Sequence, residues 1–137
     1  MAKKIFIAVI SLLLFSHCSS IKVGKVEKEK ALSGTSSPSY EELWQAAYQV
    51  SLKYPLRDFS KEEGAIESDW ITEGEFTRYR FFISIDSEST PIGFDIDVQS
   101  QRRKTSTFRW QWVEPSLDKS ENLKNSIHEH LKKIRAT

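Results

Sequence analysis

The sequence predicts an α+β fold: a two-layer sandwich in the order helix, four-stranded antiparallel meander, helix, with both helices on one face of the sheet. Three observations lead there. Residues 64–113 alternate apolar and polar side chains in four successive runs, the period-two pattern of half-buried strands. Before them, Leu43, Ala47, Val50 and Tyr54 recur at helical spacing. After them, Leu123, Ile127, Leu131 and Ile134 form a second such stripe. Two apolar stripes and one apolar sheet face bury each other most economically when both helices cover that face.

Composition bounds the function. The chain has 137 residues, enough for one domain, and 12% aromatic residues to fill a core. A net charge of +1 argues against general nucleic-acid binding. Cys18 is the one cysteine, which excludes an intramolecular disulfide and a Cys-rich metal site.

The first element is a leader. Lys3 and Lys4 precede an apolar run of eleven residues, Ile5 to Phe15, with Ser11 its one polar member. A bilayer span needs about twenty such residues, so the run is too short to cross stably. Phe15-Ser16-His17-Cys18 follows. This arrangement resembles a bacterial lipoprotein signal peptide, although His17 stands where that family usually carries a small residue. The resemblance implies removal of residues 1–17, a diacylglycerol thioether on Cys18 and a fatty acyl group such as palmitate on its new amino group. Three acyl chains give durable anchoring where one binds marginally. The expected location is the cell envelope, lipid-anchored, at the outer membrane facing the periplasm. The alternative is a secretory signal cut just after Cys18, leaving no lipid.

Residues 18–38 are polar, mixed in charge and end in Ser33-Gly34-Thr35-Ser36-Ser37-Pro38. Such a segment buries too little apolar surface to offset its ordering entropy, so it reads as a flexible tether spanning roughly 25 Å. The alternative there is a short edge strand through Ile21, Val23 and Val26.

A single domain follows, residues 39–137. Ser39-Tyr40-Glu41-Glu42 is a capping box that opens the first helix, and Pro55 follows its end. Trp44 and Tyr48 widen the helix's apolar stripe. Residues 56–63 read as a polar loop. Turns are expected at residues 72–75, where Gly74 suits one, at 87–91, and near 101–105. One sheet face collects Ile66, Trp70, Tyr79, Phe81, Ile83, Ile85, Ile92, Phe94, Ile96, Val98, Phe108, Trp110 and Trp112. The matching register pairs Phe81 with Ile96 and Ile96 with Trp110. It sets Glu67, Arg80, Asp97 and Arg109 in a row across the other face. That row reads as a solvated ion-pair ladder; the rival reading is an acid–base or anion-binding site.

Candidate functional residues are few. Arg102, Arg103 and Lys104 form a basic tip suited to an anionic surface, or a solvated turn that discourages edge pairing. Trp44, Trp70, Trp110 and Trp112 would line any groove between helix and sheet. His128 and His130, two residues apart, point to different sides and do not share a metal. Phosphate-loop, nucleophile-elbow and zinc spacings are missing, so neither a cofactor nor an enzyme is expected.

Lys53-Tyr54-Pro55-Leu56, then Gly64-Ala65-Ile66-Glu67-Ser68-Asp69-Trp70-Ile71, then an Arg-x-Arg strand, resemble small bacterial envelope lipoproteins whose domains are similar to those of BamC, an accessory of outer-membrane protein assembly. The resemblance covers residues 39–134 by element order. It implies helices on one face of an antiparallel sheet, no catalysis, and a scaffold or assembly role. The expected function is therefore a non-catalytic interaction or assembly module, anchored to the membrane by its N-terminal lipid and bound to an envelope protein partner. The alternative is a lipid- or glycan-binding lipoprotein using the tryptophan groove.

Overall fold

The computed structural model of the protein describes residues 36–137; the leader, Cys18 and most of the tether lie outside them. The fold class is α+β. The elements are α1 (Tyr40–Ser51), β1 (Leu56–Ser60), β2 (Ala65–Ser68), β3 (Ile71–Glu73), β4 (Thr77–Asp86), β5 (Gly93–Arg103), β6 (Trp110–Val113) and α2 (Leu117–Arg135). The strands form one antiparallel sheet in the order β1-β2-β4-β5-β6, with β3 also paired to β4.

Local sequence sets the start of α1 and the last turn of α2 as expected, whereas α1 stops at Ser51 and leaves Tyr54 beyond it. The Ser39 hydroxyl accepts from the Glu42 amide at 3.2 Å, and the Ser39 amide donates to the Glu42 carboxylate at 2.7 Å. Those bonds from Ser39, with Arg135 nearby, hold the Glu42 carboxyl below its ordinary range. Lys132, Lys133 and Arg135 occupy the last turn of α2, where the helix dipole favours cations.

The core joins both helices to one sheet face. Leu43, Trp44, Ala46, Ala47 and Val50 of α1 and Leu123, Ile127 and Leu131 of α2 are buried with Ile66, Phe81, Ile83, Ile85 and Val98. Each large apolar side chain so buried stabilises by about 1.5–3 kcal/mol. Phe81 pairs with Val98, Ile83 with Ile96 and Ile85 with Phe94, so β4 and β5 present the faces that their alternation predicts. The expected Phe81–Ile96 pairing is off by two residues, a shift that preserves the faces.

Three expectations need correction. The meander is not four-stranded, because two expected features resolve differently. Residues 56–60 form edge strand β1 instead of a loop, pairing Phe59 with Ile66. Phe59 packs on Tyr48 of α1 at 5.1 Å between ring centroids, and that tertiary contact favours a strand despite the polar sequence around it. The expected first strand is broken into β2 and β3. Glu67 lies opposite Phe82 and Ile71 opposite Tyr79, so this side carries one residue more than β4, a β-bulge at Asp69 and Trp70. The bulge turns Ile71 to the core and Trp70 away from it.

The last hairpin is the third correction. Its turn lies at residues 104–109, closed by Lys104 N–H donating to Arg109 O at 2.9 Å, with Phe108 at a φ of 54°. Trp110 therefore lies opposite Arg103 instead of Ile96. Displacement by an odd number of residues inverts the strand, so Trp110 and Trp112 share the face of Arg103 and Gln101. The expected row is dissolved by the same registers. Glu67 and Asp97 both lie opposite Phe82, Arg80 lies opposite Gln99, and Arg109 precedes β6.

Two positions test these local causes. Ser68 is fully buried, and its hydroxyl accepts from the Phe81 amide at 2.8 Å. Ser68→Ala leaves that buried donor unpaired and is expected to cost about 1–3 kcal/mol in urea denaturation. Gly64 has a φ of +66°, and a Cβ there would meet the Ile85 carbonyl at 2.8 Å. Gly64→Ala should lose more than Gly74→Ala, since Gly74 shares the left-handed backbone but has nothing near its missing Cβ. Acid should also weaken the fold through Glu42. Its lowered folded pKa contributes stability that is present above the ordinary value of 4.5 and is lost as pH falls through the folded value. Glu42→Gln should flatten that part of the stability–pH profile.

Candidate functional site

With the core complete, three of the four tryptophans remain on the helix-free face. There they assemble around two arginines of β4. The Arg78 guanidinium lies 4.3 Å from the Trp70 ring centroid and 4.1 Å from that of Trp110. Arg80 lies 4.9 Å from Trp70, 5.0 Å from Phe82 and 6.0 Å from Trp112. Trp70 and Trp112 meet at 5.8 Å with a 47° tilt. Strand alternation places Arg78 and Arg80 on one face, the bulge brings Trp70 beside them, and the β6 register supplies Trp110 and Trp112.

Two glutamines of β5 fix the arginines. Arg78 donates through Nε and Nη2 to Gln101 Oε1, at 2.9 and 2.7 Å, and Arg80 donates through Nε to Gln99 Oε1 at 3.0 Å. Glu67 lies 3.7 Å from Arg80 and 3.8 Å from Arg57. Burial lowers the pKa of Arg78, and the neighbouring charge of Arg80 lowers it further. Cation–π contact over two rings stabilises the guanidinium where water is partly excluded. Trp112 is the open side of the cluster, with 62% of its surface exposed.

The expected tryptophan groove is not formed. Trp44 is buried with α1 and stacks on Tyr48, whereas Trp70, Trp110 and Trp112 lie across the sheet from it. Depressions of about 400 and 260 Å³ open elsewhere. Tyr40, Lys61, Glu62 and Ser87 line the first, and β1, β2 and β4 residues including Phe59 and Phe82 line the second. None of the four tryptophans lines either one.

The expected basic tip is split by the strand, since Arg102 and Arg103 are successive β5 residues that take opposite faces. Arg102 and Arg103 end β5, and Lys104 begins the turn. Arg103 donates through Nε to the Phe108 carbonyl at 3.2 Å and lies over its ring at 5.1 Å. Among the described residues no group of three His, Cys, Asp or Glu side chains gathers in a metal-like cluster. His128 packs on Phe94 at 5.3 Å.

Sequence reading singled out the tryptophans but put three of them in the core, and it did not single out Gln99 or Gln101. One signal was present. Gln99 and Gln101 share a strand face with the two aspartates and stand across β4 from the Arg-x-Arg pair, but only the register shows that they meet it.

The fold and this face define a small α+β domain whose open sheet surface carries an arginine–tryptophan cluster. Residues 38–136 match the family model described as domain of unknown function DUF3576, and the chain belongs to that family. No curated protein matches the chain.

The clamp has a measurable energy. A double-mutant cycle of Trp70→Ala and Arg78→Ala should return a coupling of about 0.5–1 kcal/mol in equilibrium unfolding. A coupling near zero would show that the two side chains stand side by side without interacting.

Proposed function

We propose that this protein is a non-catalytic, membrane-anchored envelope lipoprotein whose domain is an interaction module, with the helix-free face as its contact surface. The observation that carries this reading is the placement of three tryptophans and two arginines outside the core. Tryptophan and arginine dominate the energetics of protein interfaces, and here they form one contiguous cluster with Trp112 at its exposed edge. A flat sheet face of this kind fits a partner surface better than a small substrate, which needs a concave site.

The anchoring part rests on the sequence: the leader, and Cys18 at its end. No described helix is long and apolar enough to cross a membrane. The resemblance of residues 39–134 to BamC domains supports an assembly role at the outer membrane.

Separate measurements test the two halves. Mass spectrometry of the mature N-terminus should find Cys18 acylated, and Cys18→Ser should move the protein out of the membrane fraction. An unmodified N-terminus beginning after Cys18 would remove the anchor. A photo-crosslinking residue placed at Trp112 should capture a discrete envelope protein in living cells, while the same residue at exposed Lys124 on α2 should not. Equal capture at both sites, or capture of lipid or glycan alone, would count against a protein-binding face.

A further inference from the structure

The chemistry of the clamp narrows what it receives; this inference rests on the interaction reading above. The Arg78 guanidinium carbon lies over two rings, those of Trp70 and Trp110. One edge is occupied by Gln101, a neutral acceptor. A guanidinium carries five N–H donors, so three of them, on Nη1 and Nη2, have no acceptor among the described residues. No carboxylate among those residues lies within 4.0 Å of Arg78. Its neighbour Arg80 shares Glu67 with Arg57, both at long range. Glu67 is thus the one described carboxylate paired with any of these three arginines, and Arg78 is left out of that pairing. A half-buried cation held rigid without a counter-ion is costly in isolation and well prepared for an anion, because its ordering entropy is already spent.

The anion's setting is also legible. Trp112, exposed, 5.8 Å from Trp70 and 6.0 Å from Arg80, offers an apolar ring on the same cluster, with Trp70 between it and Arg78. Glu67, Asp95 and Asp97 share the face, so charge changes sign over short distances. An anionic bilayer is drawn instead to a uniformly basic patch. The chain also enters the domain at the other pole. Tyr40 at the start of α1 donates its hydroxyl to the Lys61 carbonyl, and Gly64 O accepts from the Ile85 amide. Arg78 lies seven residues along β4 from Ile85, roughly 23 Å away.

We propose that this face docks an acidic polypeptide segment. One carboxylate takes the open end of Arg78, and an adjacent apolar side chain packs on Trp112. The pairing is end-on and charge-assisted, which suits arginine and not lysine.

The test uses the full 15N-labelled chain in a non-ionic detergent. The probes are a blocked tetrapeptide alternating glutamate and phenylalanine, its glutamine analogue, inorganic phosphate, and phosphatidylglycerol vesicles. The glutamate peptide is expected to shift the Arg78 Nε–H and Trp112 indole signals, with a Kd at least about fivefold below that of the glutamine analogue. Arg78→Lys should raise that Kd by about fivefold or more. Trp112→Ala, at an exposed position that should not disturb folding, should weaken both peptides alike. Equal binding of the two peptides, no shift with either, or an unchanged Kd in Arg78→Lys overturns the proposal. A stronger Arg78 response to phosphate or to the vesicles assigns the site to phosphate and overturns it too. Discrete protein capture at Trp112 with no glutamate preference leaves the interaction reading standing and removes this inference alone; loss of both removes both.

Discussion

The structure turns on one hydroxyl. Where β2 passes into β3, an extra residue interrupts the ladder, and the Phe81 amide in the middle of the core loses its natural backbone acceptor. Ser68 Oγ takes that amide at 2.8 Å, and Asp69 N–H finds the Pro55 carbonyl at 2.9 Å. The bulge is therefore satisfied from both sides, and a break that would otherwise strand buried polar groups becomes a stable feature. Ile71 then faces inward and Trp70 outward, so the core and the open face are partitioned at this point.

That partition gives the two faces different work. On the helix side, aliphatic side chains, Phe81 and Trp44 close the core with α1 and α2. On the other side, aromatic rings flank cations, and glutamines fix the arginines' edges. Surface ion pairs are weak because water competes for them. Rings over a guanidinium partly exclude that water, and Arg78 has two of them within 4.3 Å. The cluster is thus preorganised, the property that lowers the cost of binding a partner.

The ends of the domain complete the picture. Arg135 near the end of α2 donates to Ser36 Oγ at 3.0 Å and approaches Glu42 at 3.5 Å, so the two helix termini and the entering chain are tied together. This tie lies near the pole that holds Gly64 and Ile85. The clamp lies towards the opposite end of β4. The arginine–tryptophan cluster and the first described residues therefore lie towards different ends of β4.

The sequence by itself determined the parts whose causes are local. Ser39 and Glu42 are three residues apart and cap α1 wherever that helix is placed. A turn around Gly74, found at residues 74–76 where 72–75 is expected, the turn before β5 and the faces of β4 and β5 follow from glycine, proline and strict alternation. The tertiary structure alone decided the site. Alternation continued through Trp70 predicts a core residue, and only distant partners, Phe81 and Pro55, make the bulge that reverses it. Trp110 and Trp112 likewise alternate correctly in isolation. Which face they take depends on where β5 stops and on Phe108's left-handed turn, a register that a period of two does not encode. Strand periodicity tells which residues travel together; the pairing between strands tells which side they reach.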